Sequence, residues 1–203
     1  MKKIKKLKIP IYIHEIARKA KKQKINMEEA GLKDQQALKE FVSTLYSSTE
    51  PAVVFDRFPP DSNSGKITSA PGAAFSCGVI TLGSAVEDKI KSIKNPALSL
   101  TADVSLNVML NTAVDLVREF ISQEAEPDGF NIGQVCHLNP PLSPFDKGGW
   151  KGDFAAAEPA VLETLLKKLG SEKIGVKMEN QALSPAYTAI FTVPWLPRKK
   201  KNK

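Results

Sequence analysis

Residues 165–193, LLKKLGSEKIGVKMENQALSPAYTAIFTV, set a helix end, a strand, a proline-containing turn and a second strand in close order, the succession of an α+β domain. Pro159 suits the first turn of a helix because its missing N–H would go unpaired there. Val161, Leu162, Leu165, Leu166 and Leu169 then recur at the spacing of one helical face. Gly170 ends that helix, since glycine takes the left-handed closing conformation at little cost. Ile174, Val176 and Met178 alternate with Lys173, Lys177 and Glu179, which predicts a strand with one buried and one wetted face. Residues 180–185 carry turn chemistry, and 187–193 alternate again. The two strands are expected to pair as an antiparallel hairpin ending at Pro194.

Working outward, residues 10–20 read as a short helix, and Asn26 is placed to cap a longer one whose Leu38, Phe41, Val42 and Leu45 face one way before Pro51 breaks it. Residues 52–58 read as a strand, 59–65 as a turn, and 67–69 with 73–82 as further strand material. Ser84 and Glu87 match a capping box that opens a helix running to Ile93. The longest helix is expected over 103–123, with Leu106, Leu110, Ala113, Val117 and Phe120 on one stripe. The stretch NPPLSPFDKGGWKGD, 139–153, is rich in Pro and Gly and follows neither hydrophobic period, so it reads as an irregular insert. No internal repeat is evident.

Length and charge bound the function. A chain of 203 residues buries enough surface as one domain to need no metal or disulfide staple. Its two cysteines, Cys77 and Cys136, form no framework, and no Cys-x-x-Cys or His cluster suggests a metal site. These features point to a reduced, cytoplasmic setting. The net charge of +7 is unevenly placed: residues 1–24 hold ten Lys or Arg and 198–203 hold five, while 25–197 hold 14 bases against 21 acids. The expected organisation is therefore a basic tail over 1–9, a domain over 10–197 that is acidic on balance, and a basic tail over 198–203, both tails solvated. Aromatic residues do not interleave with the basic ones, as a single-strand stacking platform would require, so nucleic acid is a disfavoured partner. No apolar run is read as reaching the ~20 residues of a membrane span, and the short run IPIYI is interrupted before it resembles a signal segment.

GVKMENQALSPAYTAIFTV, with the leucine-rich helix before it, resembles the C-terminal part of the activation domain of cobalamin-dependent methionine synthase and its small stand-alone relatives. Three further segments match in the family's order: PAVVFDRFP at 51–59, GVITLGSAVEDKIKSI at 78–93 and LNTAVDLV at 110–117. The resemblance spans roughly residues 50–193. It implies one α+β domain with a twisted, largely antiparallel sheet flanked by helices. It also implies a stand-alone reactivation module that presents S-adenosylmethionine for reductive methylation of cobalamin. The cobalamin is carried by a partner, a corrinoid-binding methyltransferase such as methionine synthase. The competing expectation is a degenerate relative that serves as a scaffold without S-adenosylmethionine.

The family's ligand loop carries Arg-x-x-x-Gly-Tyr. The aligned residues here are His137, Pro141 and Leu142, with only Pro140 retained, and a neutral histidine does not supply arginine's permanent two-pronged cation. A second register places Gly149 and Trp150 at the Gly-Tyr pair, offering an aromatic face to a sulfonium. Asp115 stands where the family helix carries its acid, either accepting from the ligand's amino group or serving only as a helix-surface carboxylate. Glu179 and Tyr187 fall in the hairpin that borders the site in the relatives, and read equally as a wet strand end and a half-buried phenol. His137 has no nucleophile or carboxylate at a fixed spacing, so no self-contained catalytic residue is expected.

Overall fold

The computed structural model describes residues 1–59, 74–139, 153–154 and 157–198. The expected strand at 67–69, most of the turn at 59–65, and the candidate residues Pro140, Gly149 and Trp150 lie outside them, as do Pro141, Leu142 and 199–203. In chain order the elements are β1 (Lys2–Lys5), α1 (Ile13–Lys22), α2 (Gln35–Ser47), β2 (Ala52–Phe58), β3 (Ala74–Thr81), α3 (Ala85–Lys91) and α4 (Pro96–Ala125). There follow β4 (Phe130–Ile132), β5 (Cys136–His137), β6 (Asp153–Phe154), α5 (Pro159–Leu169), a 3-10 turn (Ser171–Ile174), β7 (Lys177–Glu179), β8 (Ala182–Ser184) and β9 (Thr188–Pro197).

The main sheet runs β1-β2-β3-β9-β5-β6, with β4 also pairing β9. Its pairings are antiparallel except for β5 with β6. Helices cover both faces. On one, α4 packs with α1 and α2 over Val53, Phe55, Ile80, Phe191 and Val193; on the other, Leu162, Leu165, Leu166 and Leu169 of α5 meet Val54, Cys77, Val79 and Ile190. The mixed α/β class with an antiparallel sheet is thus as expected from the sequence.

The hairpin is not. β7 pairs with β8 through a turn whose Asn180 and Gln181 both have positive φ, while β9 leaves this ribbon and becomes a central strand between β3 and the β4–β5 edge. The reason is burial. Thr188 through Trp195 are all buried, and a strand whose two faces are both apolar finds cover only in the middle of a sheet that carries helices on each side. Ile174 falls in the 3-10 turn rather than in a strand.

Local corrections follow from which side chain reaches which donor. Asp34, not Asn26, caps α2, its carboxylate accepting from the Ala37 N–H at 2.8 Å. Asn26 accepts instead from Glu28 and Glu29 in the preceding turn. Ser84 forms no side-chain cap. Asn95 caps α4 by accepting from Leu98, with Pro96 at the first turn, so the long helix starts seven residues before the expected Asp103. Gly170 does close α5, at φ 56 and ψ 44.

The N-terminal basic segment is ordered structure. Lys2–Lys5 pair with β2, Leu7 donates its N–H to the Pro51 carbonyl at 2.9 Å, and Leu7 and Ile9 are buried. Alternation explains this: Ile4, Leu7 and Ile9 reach the core while the intervening lysines point to water. The absence of an apolar run of spanning length also needs correction. α4 is long and apolar enough to cross a membrane, but 67% of its apolar window is buried inside this domain, as in a central core helix.

Candidate functional site

Helix α4 is apolar around most of its circumference, yet Asp103, Asn107, Asn111 and Asp115 recur every fourth position along it. Residues four apart on a helix are neighbours, so these four trace one polar seam that winds slowly round the axis. Asn107 and Asn111 are only 4% and 9% exposed. Each amide donates back to the carbonyl four residues earlier, Asn107 to Asp103 at 3.0 Å and Asn111 to Asn107 at 2.8 Å. Burying such groups in a core helix costs free energy that a leucine would not incur. Packing alone therefore gives no reason for the seam.

At the N-terminal end of the seam, the Tyr187 hydroxyl donates to the Asp103 carboxylate at 3.0 Å. Beside it, Glu87 of α3 accepts from the Ala186 N–H at 2.5 Å. Burial, the Asp103 charge and hydrogen bond, and then the Glu87 charge together push the Tyr187 phenol well above its usual range, so it stays a donor at neutral pH. Behind this pair the hydroxyls of Thr81 and Thr188 meet at 3.1 Å, and Thr188 also donates to the Pro185 carbonyl at 2.7 Å. The residues linking β8 to β9 are thereby held against α3 and α4.

At the β5 edge, Asn139 extends the ladder with its side chain. Its amide donates to Thr188 O at 3.0 Å, and its carbonyl accepts the Ile190 N–H at 2.7 Å. His137 sits opposite Phe191, hence on the α4 face of the sheet, and is 1% exposed. Cys136, adjacent in the chain, points to the other face, so the two do not form a thiol–imidazole pair. Cys77 is fully buried and its thiol is pushed up to about 12, which leaves no thiolate at neutral pH. Among the described residues, no group of three His, Cys, Asp or Glu side chains is placed to hold a metal ion.

The predicted site residues do not converge on one point. Tyr187 binds Asp103, twelve positions before Asp115 and so about 18 Å away along the helix axis. Asp115 instead lines a pocket of about 410 Å³ with Pro10, Tyr12, His14, Glu15 and Glu119, between α1 and α4. Glu179 stands on the separate β7–β8 ribbon and pairs with Lys177. His137 is buried in the sheet rather than set in a loop. Sequence reading picked out one member of the seam, Asp115, and passed over Asp103, Asn107 and Asn111. Their four-residue spacing within an apolar helix was the available signal.

The arrangement is rich in acceptors and holds one neutral phenol. It suits a ligand that presents a cationic or donor-bearing end, and it has no nucleophile with an adjacent base. No family model matches the chain, and comparison with curated proteins finds no similar sequence.

Proposed function

We propose that the chain is a stand-alone reactivation module for a corrinoid-dependent methyltransferase, holding S-adenosylmethionine while a partner carries the cobalamin. The observation that carries this reading is the half-buried carboxylate of Asp103, set at the end of the Asn107–Asn111 seam and held by Tyr187. A carboxylate beside amide oxygens fits the ammonium and sulfonium end of S-adenosylmethionine. In this reading the cobalamin is carried by the partner. When bound, S-adenosylmethionine supplies the methyl group; this chain's residues only bind it and orient it.

Calorimetric titration tests the reading. Saturable heat with S-adenosylmethionine, weakened about tenfold or more by Asp103→Asn, is expected, since a single charged contact is worth ~1.4 kcal/mol or above. Absence of heat at millimolar ligand overturns it. One observation favours the scaffold alternative: at the position where the relatives carry a carboxylate-gripping arginine, His137 is buried against Phe191. In that case a corrinoid protein copurifies with the chain while S-adenosylmethionine gives no heat and does not alter the copurification.

A further inference from the structure

Residues 5–8, 46–52 and 172–175 enclose an open cleft of about 800 Å³, within the range of small-molecule sites. Lys5, Lys6 and Lys8 line one wall and Lys173 the other, with Tyr46 between them. Some lysines elsewhere pair with carboxylates, Lys2 with Glu124, Lys91 with Asp88, Lys167 with Glu163 and Lys177 with Glu179. Among the described residues Lys5, Lys6, Lys8 and Lys173 make no such pair, as is true of other surface lysines such as Lys89 and Lys94, and what distinguishes them is that they gather round one cleft. Glu50 and Glu172 also line the cleft, leaving it with a net charge of two positives, and neither carboxylate is within ion-pair distance of a lysine there.

Both walls are fixed. The N-terminal wall is tied down by the β1–β2 ladder, by the Leu7–Pro51 hydrogen bond and by the Ile9 N–H, which donates to the Tyr46 hydroxyl at 3.2 Å. The opposite wall is closed by the Ser171 hydroxyl, which donates to the Val176 carbonyl at 2.8 Å. Four like charges held at fixed anchor points repel one another, and an anion placed among them relieves that repulsion. Lysine acts here as a point charge, one of the usual phosphate partners.

The geometry points to a binding site for a phosphorylated metabolite of nucleotide size, its phosphates among Lys5, Lys6, Lys8 and Lys173 and its hydroxyls donated to Glu50 and Glu172. The carboxylates are what distinguish this from a nucleic-acid track, because a continuous phosphate backbone crossing the cleft would pass against them. The site owes nothing to the reactivation reading and stands about the β1–β2 edge, away from the α4 seam.

Titration calorimetry of the full chain at about 0.15 M salt tests it with three probes: inorganic triphosphate, adenosine diphosphate and a single-stranded oligonucleotide. Saturable binding of the two small probes is expected. The pair Lys8→Glu and Lys173→Glu weakens it roughly tenfold or more, while the equally exposed pair Lys89→Glu and Lys94→Glu leaves it unchanged. Far-UV circular dichroism confirms that both double variants fold, and Lys5→Gln, with the same directional effect, serves should the first pair fail to. The proposal is overturned by absence of heat at millimolar small probe. It is equally overturned by weakening that both pairs cause alike, or by an oligonucleotide that binds where the small probes do not; both would report diffuse attraction to a basic surface.

Discussion

Gly78 lies in β3 directly opposite Phe191 of β9, and a Cβ built there would stand 2.5 Å from Cζ of that ring and 2.9 Å from Cε1. Carbon atoms prefer separations of about 3.5–4.0 Å, so Gly78→Ala demands a displacement of roughly 1 Å. Phe191 has little room to yield: it is fully buried, with Gly78 on one flank and His137 on the other. Overpacking of this kind costs about 1–3 kcal/mol. A domain of this size loses about 2–4 °C of Tm per kcal/mol, so the melting temperature falls by roughly 2–12 °C. Thermal and urea unfolding measure it, with an unchanged urea m value showing that only stability has moved. Phe191→Leu supplies the control. Alone it leaves a cavity, at less than the ~3–5 kcal/mol of truncation to alanine, and combined with Gly78→Ala it makes room for the added methyl. The double variant is therefore expected to be more stable than the sum of the single effects by about 1 kcal/mol or more. A Gly78→Ala protein that melts with the wild type, or strict additivity in the cycle, would refute the placement of the ring over the glycine.

Tyr187→Phe removes the donor to Asp103 and is expected to cost about 1.5–3 kcal/mol, the worth of a hydrogen bond to a charged group. Its pH signature has a definite sign. Because the folded-state phenol titrates above its unfolded value of 10.0, its contribution is whole below about pH 10 and drains away as pH rises past that point. Wild-type stability should accordingly fall more steeply than that of Tyr187→Phe above pH ~10, as urea midpoints across pH 8–11 would show; parallel curves would sink the assignment. Thr192 stands between Cys77 and Cys136 on the α5 face, and its buried hydroxyl has no hydrogen-bond partner among the described residues. Thr192→Val keeps the shape and removes the orphaned group, so a gain of up to about 1 kcal/mol is expected, and a loss of stability would reveal a partner for that oxygen.

The chain's own pattern determined the local elements wherever one periodicity dominates. The leucines of α5, the closing Gly170 and the apolar run of β2 need only near neighbours to be understood, since helical and strand spacing are properties of the backbone. Pairing is another matter. Whether the strand at β9 completes a ribbon with its neighbour or moves to the sheet centre depends on cover for both its faces, one of them supplied by α4, which ends at Ala125, far back in the chain, and no local signal carries that. The lysine-rich start looked like a solvated tail by charge, but the buried side chains of Leu7 and Ile9, the partly buried Ile4 and a ladder along β2 made it part of the sheet. The candidate sites divide in the same way. The four-residue spacing of Asp103, Asn107, Asn111 and Asp115 was written in the sequence, but only the folded chain set Tyr187 against Asp103 and left Asp115 some 18 Å away. The basic cleft was not legible at all, because Lys8 and Lys173 become neighbours through tertiary packing and through nothing closer in the chain.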